Sequence, residues 1–265
     1  MGKAKDIILR PIDARTANPF VKRVHYSGKV VNNSQIHIGV YYHGSLEGVM
    51  QFGPSLDKRK IVGLVEGTLW NEFIELNRLA FTDKLPRNSE SRALSIAFKM
   101  LRKHAPQLKW VISFADATQC GDGTIYRASG FVLTGIKKND QIWIGPDNKS
   151  VATRLVATDT RRPGRQKLFA GSMTMLGPKG ASAQKREILS RVTATKGEHI
   201  QETGAASMRQ FKELGWKPME GYQLRYIYFL DPAYRPRLTV PEIPFSEIEA
   251  RGAAMYRGQK PHAGD

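Results

Sequence analysis

The stretch Trp110-Val-Ile-Ser-Phe-Ala-Asp116, followed by Tyr126-Arg-Ala-Ser-Gly130-Phe131, constrains this chain more than any other. An apolar run of β-branched and aromatic residues ends on a carboxylate, and a short helix carrying Tyr126 comes after the Gly121-Asp-Gly123 turn. In open α/β sheets, sites form beyond the carboxyl ends of strands. Asp116 and Tyr126 therefore stand where chemistry is expected. The alternative is that Asp116 caps the turn and Tyr126 packs.

The rest of the chain supplies the partners of that strand. Ile7-Ile-Leu-Arg-Pro reads as a first strand, and residues 14 to 26 as a helix with Pro19 near its start and Phe20, Val21 and Val24 on one face. That segment runs into His25-Tyr26-Ser27-Gly28. Ile36 to Tyr42 and Leu46 to Phe52 flank His43-Gly44-Ser45 as a hairpin, and Asp57-Lys58-Arg59-Lys60 follows as a basic loop. Phe73 to Phe81 reads as a strand with Glu75, Asn77 and Arg78 inside an apolar run, which is costly unless they are paired or used. Asn88-Ser-Glu-Ser91 offers a helix amino terminus; Ala93, Ile96, Ala97, Met100, Leu101 and His104 follow at helical spacing, and Pro106 stops the helix. Beyond residue 116 come the Tyr126 helix, strands near Phe131 to Ile136 and Gln141 to Ile144, a helix at Met208 to Leu214 and a strand at Tyr222 to Leu230. The order predicts a mixed α/β fold, one mixed sheet with helices on both faces.

Composition shifts near residue 157. From 158 to 212 there are eleven basic residues and four acidic ones, with Arg161-Arg162-Pro-Gly-Arg165-Gln-Lys167 the densest run. The expected division is a core over 1–156, a basic insertion or flap over 157–207, a helix and strand completing the core over 208–249, and a mobile tail over 250–265. Over the whole chain, 41 Lys and Arg against 24 Asp and Glu give a net charge of +17. Such a chain is drawn to polyanions, and nucleic acid is the default partner. Lys58, Arg59, Lys60, Arg161, Arg162, Arg165, Lys167, Lys185 and Arg186 are the candidate contacts. No apolar run approaches the roughly 20 residues of a membrane span. No secretory signal is evident at the amino terminus. One cysteine, Cys120, excludes an internal disulfide and points to a reducing interior.

The order of elements, with Tyr126-x-x-x-Gly130-Phe131 after the fifth strand, resembles the GNAT acyltransferase fold. His25-Tyr26-Ser27-Gly28, Glu75-Leu-Asn-Arg78-Leu-Ala80, Asn88-Ser-Glu-Ser-Arg92-Ala and Phe114-Ala-Asp116-Ala-Thr-Gln-Cys120-Gly-Asp-Gly-Thr-Ile-Tyr126 resemble more closely one branch, the Mom DNA-modification proteins of Mu-like phages. The resemblance is strongest over residues 7 to 145. It implies an enzyme of the host cytoplasm that adds a carbamoylmethyl (methylcarbamoyl) group to N6 of adenine in double-stranded DNA and shields that DNA from restriction. It also implies that His25, Tyr26, Arg78, Asp116 and Tyr126 carry the activity. GNAT enzymes hold the pyrophosphate of coenzyme A with a glycine-rich turn before the central helix. Here Arg87-Asn88-Ser89-Glu90-Ser91-Arg92 lacks those glycines. Helix amides with Arg87 and Arg92 still suit a phosphate, although Glu90 opposes one.

N6 of adenine lies inside a base pair, so the base must be flipped out or presented single-stranded. Tyr26, Tyr41, Tyr42, Trp70 and Tyr126 are candidate stacking residues, with Tyr41 or Tyr42 expected in the core. The amine is a poor nucleophile, and Asp116 is the expected proton acceptor. Tyr126 is placed to protonate a leaving group. Arg78 is placed to neutralise an oxyanion, or else to pair with Glu75 or Glu72. His25, Tyr26, Asp116 and Tyr126 are also a possible hard site for iron, though no HxxxH spacing supports it. Cys120 is either a covalent nucleophile or an inert buried thiol. A carbamoylmethyl group has the atoms of a glycyl group, so glycyl-tRNA stands beside a coenzyme A ester as the donor. A homodimer is a further expectation. Two alternatives remain: a methyltransferase using S-adenosylmethionine, on the strength of Asp231-Pro232-Ala233-Tyr234, and a non-catalytic basic DNA-binding protein.

Overall fold

The structure is a computed structural model that describes residues 3–25, 27–55, 57–117, 123–140, 142–147, 151–154, 173–175 and 212–252. Seven strands form one sheet in the order β1-β2-β3-β4-β5-β11-β6. They are β1 (Ile8–Pro11), β2 (Ile36–Tyr42), β3 (Ser45–Gly53), β4 (Phe73–Phe81), β5 (Trp110–Asp116), β6 (Val132–Lys138) and β11 (Tyr222–Phe229). β1 to β4 pair antiparallel, while β4 and β5 run parallel, so the sheet is mixed.

Local sequence explains most of these elements. His43 and Gly44 both take positive φ, at 47° and 80°, as the two-residue turn joining β2 to β3 needs. Helix α1 (Ala14–Val24) begins where the Asp13 carboxylate accepts from the Thr16 amide at 2.7 Å. It buries Ala17, Phe20 and Val21 against Val49 of β3 and Ala80 of β4. Helix α3 (Ser89–His104) buries Ala93, Leu94, Ala97, Phe98 and Leu101. The expected stripe holds at Ala93, Ala97 and Leu101, but Leu94 and Phe98 are inside, Ile96 and Met100 are half-buried and His104 is exposed. Phe98 sets the rotation, because its ring stacks on Tyr228 at 4.1 Å and meets Phe131 at 5.6 Å.

The basic stretch after Asp57 is helical. Helix α2 (Lys58–Val62) turns Ile61 inward, where it joins Leu64, Val65, Phe73, Trp110, Ile112 and Ile227 in one cluster. This corrects the loop expected there. Two apolar residues following three basic ones can cover a sheet face with a single helical turn. Helices α1 and α2 cover one face. Helix α3 and helix α4 (Thr124–Ala128) cover the other, with Tyr126 against Phe131 and Tyr226. Tyr41 and Tyr42 are both half-buried, so neither is a core residue.

The chain divides into two compact units, Met1–Ala115 with Gly121–Ile136 and Leu224–Asp265, and Asp116–Cys120 with Lys137–Gln223. The second holds a four-stranded sheet in the order β10-β7-β8-β9, of β7 (Ile142–Ile144), β8 (Val151–Arg154), β9 (Met173–Met175) and β10 (Lys217–Pro218). Buried Asn139 ties it together. Its Nδ2 donates to the carbonyls of Ile142 and Met219, both at 2.8 Å, and its Oδ1 accepts from the Ile142 amide. Of the expected flap over 157–207, only Met173–Met175 is among the described residues, and the tail beyond 252 lies outside them.

Candidate functional site

The ladder between β4 and β5 has three steps: Phe73 to Trp110, Ile74 to Val111 and Glu75 to Ile112. Beyond Glu75 the two strands carry no further paired residues. On the other side of β4 the register with β3 slips, because Gln51 faces Arg78 while Phe52 faces Leu76. Asn77 is the extra residue of a bulge. An inserted residue re-aims the side chains that follow it, and such irregularities recur beside active sites. Here the bulge returns Arg78 to the face of Phe73 and Glu75.

A polar group gathers on that face. Arg78 Nε donates to the Lys29 carbonyl at 3.0 Å, and Nη1 donates to the Asn77 carbonyl at 2.6 Å. Both acceptors are main-chain atoms, so the guanidinium is held as a fixed cation. His25 ends α1, and its Nδ1 lies 2.8 Å from the Ser27 hydroxyl and accepts from the Ser27 amide at 3.1 Å. An Nδ1 that accepts from an amide is unprotonated, which sets the neutral tautomer with its proton on Nε2. Burial, followed by the Arg78 charge, pushes the His25 pKa down to about 3. Burial also raises the pKa of Glu75, opposed by hydrogen bonds from Ser55 and Asn77 and by the charge of Arg78. The cost expected for polar residues inside the Phe73 strand is thus met by hydrogen bonds. Glu75 feels the Arg78 charge, whereas Glu72 is engaged elsewhere, accepting from the Leu69 amide at 2.7 Å and from the Tyr234 hydroxyl at 3.0 Å.

The opposite face of β5 carries the second half. Tyr126 is buried, and its hydroxyl lies 2.9 Å from that of Ser113, which is fully enclosed. Ser113 Oγ is also 3.2 Å from the Leu76 carbonyl. A serine has one proton to give. When it serves the carbonyl, Tyr126 donates to Ser113; when it turns to Tyr126, it offers a donor that stabilises a phenolate. Gly123, at a φ of 72°, allows the close approach, since a Cβ there falls 2.8 Å from both Tyr126 and Tyr226. Sequence reading missed Ser113. The available signal was a hydroxyl on the inward-facing series Val111, Ser113, Ala115 of an otherwise apolar strand.

Asp116 closes β5, is half-buried and belongs with the second compact unit. Tyr26 and Cys120 lie outside the described residues, as do Arg161, Arg162, Arg165, Lys167, Lys185 and Arg186. His25 commits Nδ1 to Ser27, and among the described residues no three His, Cys, Asp or Glu side chains converge as a metal ion needs. Among those residues, too, no helix is long and apolar enough to cross a membrane.

At the amino terminus of α3 a cavity of about 450 Å³ is lined by Lys5, Asn88, Ser91, Arg92, Ser95 and Ser129, among others. Asn88 takes a left-handed conformation, with φ at 68°, and makes no side-chain cap. The first turn of a 16-residue helix with a lysine and an arginine beside it is suited to phosphate oxygens. Of the expected phosphate-binding residues, Asn88, Ser91 and Arg92 line this cavity, Ser89 is buried in the helix's first turn, and Arg87 is exposed. Desolvation and the neighbouring Asp83 carboxylate hold Glu90 above its ordinary pKa.

The Asp231-Pro232-Ala233-Tyr234 stretch forms a capped 3-10 turn. Asp231 accepts from the Ala233 amide at 3.1 Å, pairs with Lys109 at 3.5 Å and leads into Tyr234, which is bonded to Glu72.

The chain belongs to the Mom protein family, whose model matches residues 6–187. It is 40% identical over 133 residues to the methylcarbamoylase Mom of Escherichia phage Mu, a stretch that is 50% of this chain and 55% of that protein. The chain thus spans about half the length of the curated relative it matches. Among solved structures it is similar to a GNAT family acetyltransferase from Elizabethkingia anophelis with acetyl-CoA bound, at 16% identity and a TM-score of 0.38 over 51% of this chain and 82% of that one. It is also similar to the ribosomal-protein-S18-alanine N-acetyltransferase from Escherichia coli, at 8% identity and a TM-score of 0.40 over 85% and 94% of the two chains.

Proposed function

We propose that this protein is a transferase that modifies N6 of adenine in DNA with a methylcarbamoyl, glycyl-derived group and so protects phage DNA from restriction. One observation carries the reading. The family match over 6–187 takes in His25, Arg78, Asp116 and Tyr126 together, and the relative from phage Mu is named a methylcarbamoylase.

The chemistry asks for four things. The adenine must leave the duplex, and a chain of net charge +17 can hold the strained backbone while it does so. Lys58, Arg59 and Lys60 lie on α2, with Lys58 Nζ 4.7 Å above the exposed Trp70 ring, a pairing suited to a nucleic-acid strand. Next, the weakly nucleophilic amine needs a proton acceptor, and Asp116 at the carboxyl end of β5 takes that role. Charge that develops on the carbonyl oxygen of the transferred group needs a fixed cation, and Arg78 is held by two carbonyls for that purpose. Finally, the leaving group needs a proton. Tyr126 gives it, while Ser113 turns its hydroxyl to the phenolate that forms.

The donor carries phosphate in either of its forms, a coenzyme A ester or glycyl-tRNA. Lys5, Arg92 and the first turn of α3 are the residues that would hold it. When bound, the donor supplies an activated carbonyl carbon; attack by N6 gives the glycyl amide, and the isomeric carbamoylmethyl group, joined to N6 through its CH2, then requires an intramolecular rearrangement. The decisive experiment is nucleoside mass spectrometry on plasmid DNA from bacteria expressing this chain, with Asp116→Ala as control. A deoxyadenosine heavier by a glycyl-sized group, absent in the variant, supports the reading. Unmodified adenine with folded protein present refutes it, and a methyl-sized shift would favour a methyltransferase instead.

A further inference from the structure

Phe114 is the observation that the proposed reaction leaves unused. It sits in β5, an interior strand of the seven-stranded sheet, yet its side chain is 41% exposed. The other exposed large apolar residues among those described have simpler settings. Ile8 is on the edge strand β1, Leu69 and Trp70 are in the loop before β4, and Leu214 is in a turn. Alternation along β5 puts Phe114 on the same face as Trp110 and Ile112, both fully buried. That face is core up to Ile112 and open at the next step.

The ladder explains the opening. The last β4 partner of β5 is Glu75 opposite Ile112, so β4 offers no paired neighbour to Phe114. On the other side β11 stays close. The Ala117 amide bonds to the Tyr222 carbonyl, and Ile112 and Ile227 meet in one cluster, a register that sets Arg225 level with Phe114. The Arg225 guanidinium is fixed on Thr134, through Nε to the hydroxyl at 3.1 Å and Nη2 to the carbonyl at 2.6 Å. Arg78 occupies the same face of β4, beyond the bulge. An exposed aromatic ring thus lies in a sheet face between two anchored arginines.

We infer that the Phe114 ring is the platform on which an unpaired nucleobase stacks, with Arg78 and Arg225 on either side to meet its edge or its phosphate. The inference rests on the proposed action on a flipped adenine and deepens it. A planar heteroaromatic base fits better than an aliphatic partner. A single exposed ring gives a stacking face rather than a groove, and the flanking cations suit the polyanion to which a base belongs. Stacking on an aromatic side chain contributes roughly 1–3 kcal/mol per base.

The test needs no group donor. Binding of the full-length chain is measured by fluorescence anisotropy to two DNA duplexes that differ only at one position, an unpaired adenine or an abasic site. The wild type should bind the adenine duplex about thirtyfold more tightly, the middle of the range that stacking supplies. Phe114→Ala should bring the ratio to about one with affinity for the abasic duplex retained, and Phe114→Trp should keep the ratio. Phe114→Leu, which fills similar volume without an aromatic face, replaces the alanine variant if that variant fails to fold. A wild-type ratio of one, or a ratio unchanged in the alanine and leucine variants, overturns the inference. A chain that shows the ratio but does not modify adenine keeps the platform and loses the transferase reading. A chain that modifies adenine with no Phe114 dependence does the reverse.

Discussion

The hydroxyls of Ser113 and Tyr126 lie 2.9 Å apart in the core, between β5 and α4. Because Ser113 also reaches the Leu76 carbonyl, its one proton has two acceptors, and the phenol can be donor or acceptor without either oxygen being stranded. Ser113→Ala removes that freedom and takes the Ser113 donor away from the Tyr126 oxygen when it gives up its proton. We expect a loss of about 1 kcal/mol of stability and roughly a tenfold fall in DNA modification. The alkaline limb of the pH–rate profile should move upward, as the phenolate is less stabilised. Denaturant titration and modified-nucleoside yield at several pH values check both. An unmoved limb would leave Ser113 a packing residue.

His25 ties stability to pH. Its folded pKa is about 3, against 6.5 for an ordinary histidine. Between those values the unfolded chain binds a proton that the folded chain refuses, so the unfolded state gains as pH falls. The stability associated with a neutral His25 is fully present above pH 6.5 and is lost progressively toward pH 3, with a slope of at most about 1.4 kcal/mol per pH unit for one group. His25→Gln should flatten the dependence between pH 7 and 5, measured by urea unfolding at each pH. Arg78→Gln should raise the His25 pKa, read by NMR titration, because the neighbouring guanidinium charge is gone.

Gly53 is fixed by space rather than by backbone conformation. A Cβ there would stand 2.6 Å from the Asn33 carbonyl oxygen and the Asn77 Oδ1, and 2.8 Å from the Ser34 Cα. Two of those atoms are backbone. Gly53→Ala should cost about 1–3 kcal/mol and disturb the bulge that aims Arg78, so activity should fall further than thermal unfolding alone explains. Calorimetry and activity at a temperature well below the melting point separate the two effects.

Lys58 stands over two rings, 4.7 Å from Trp70 and 5.2 Å from Phe73. As a phosphate contact, Lys58→Ala should weaken DNA binding uniformly across sequences and reduce the slope of log affinity against log salt by about 1. An unchanged slope would place Lys58 in packing alone.

Asp231 tests the methyltransferase alternative. Its carboxylate caps a 3-10 turn and pairs with Lys109, so Asp231→Asn should lower the melting temperature slightly and leave the modified-nucleoside yield intact. Loss of modification with the fold preserved would revive that alternative.

Much of the fold was legible because it is local. The helical spacing of α3 and its end before Pro106, the apolar runs of β4 and β5, and the two-residue turn at His43 and Gly44 each follow from neighbours in sequence. The candidate residues His25, Arg78, Asp116 and Tyr126 were legible as motifs, since a charged or hydroxyl-bearing residue in an apolar run stands out without coordinates. What no local pattern carries is pairing across distance. The slip opposite Gln51 makes Asn77 a bulge, the ladder stops at Glu75, and only then do Ser113 and Phe114 acquire their settings, one enclosed beside Tyr126 and the other bare between two arginines. Adjacent in sequence, they point to opposite faces of one strand. The period of a strand is written in the chain, but which face is covered, and where its neighbour departs, is decided by the packing of strands and helices that meet only when the whole sheet is assembled.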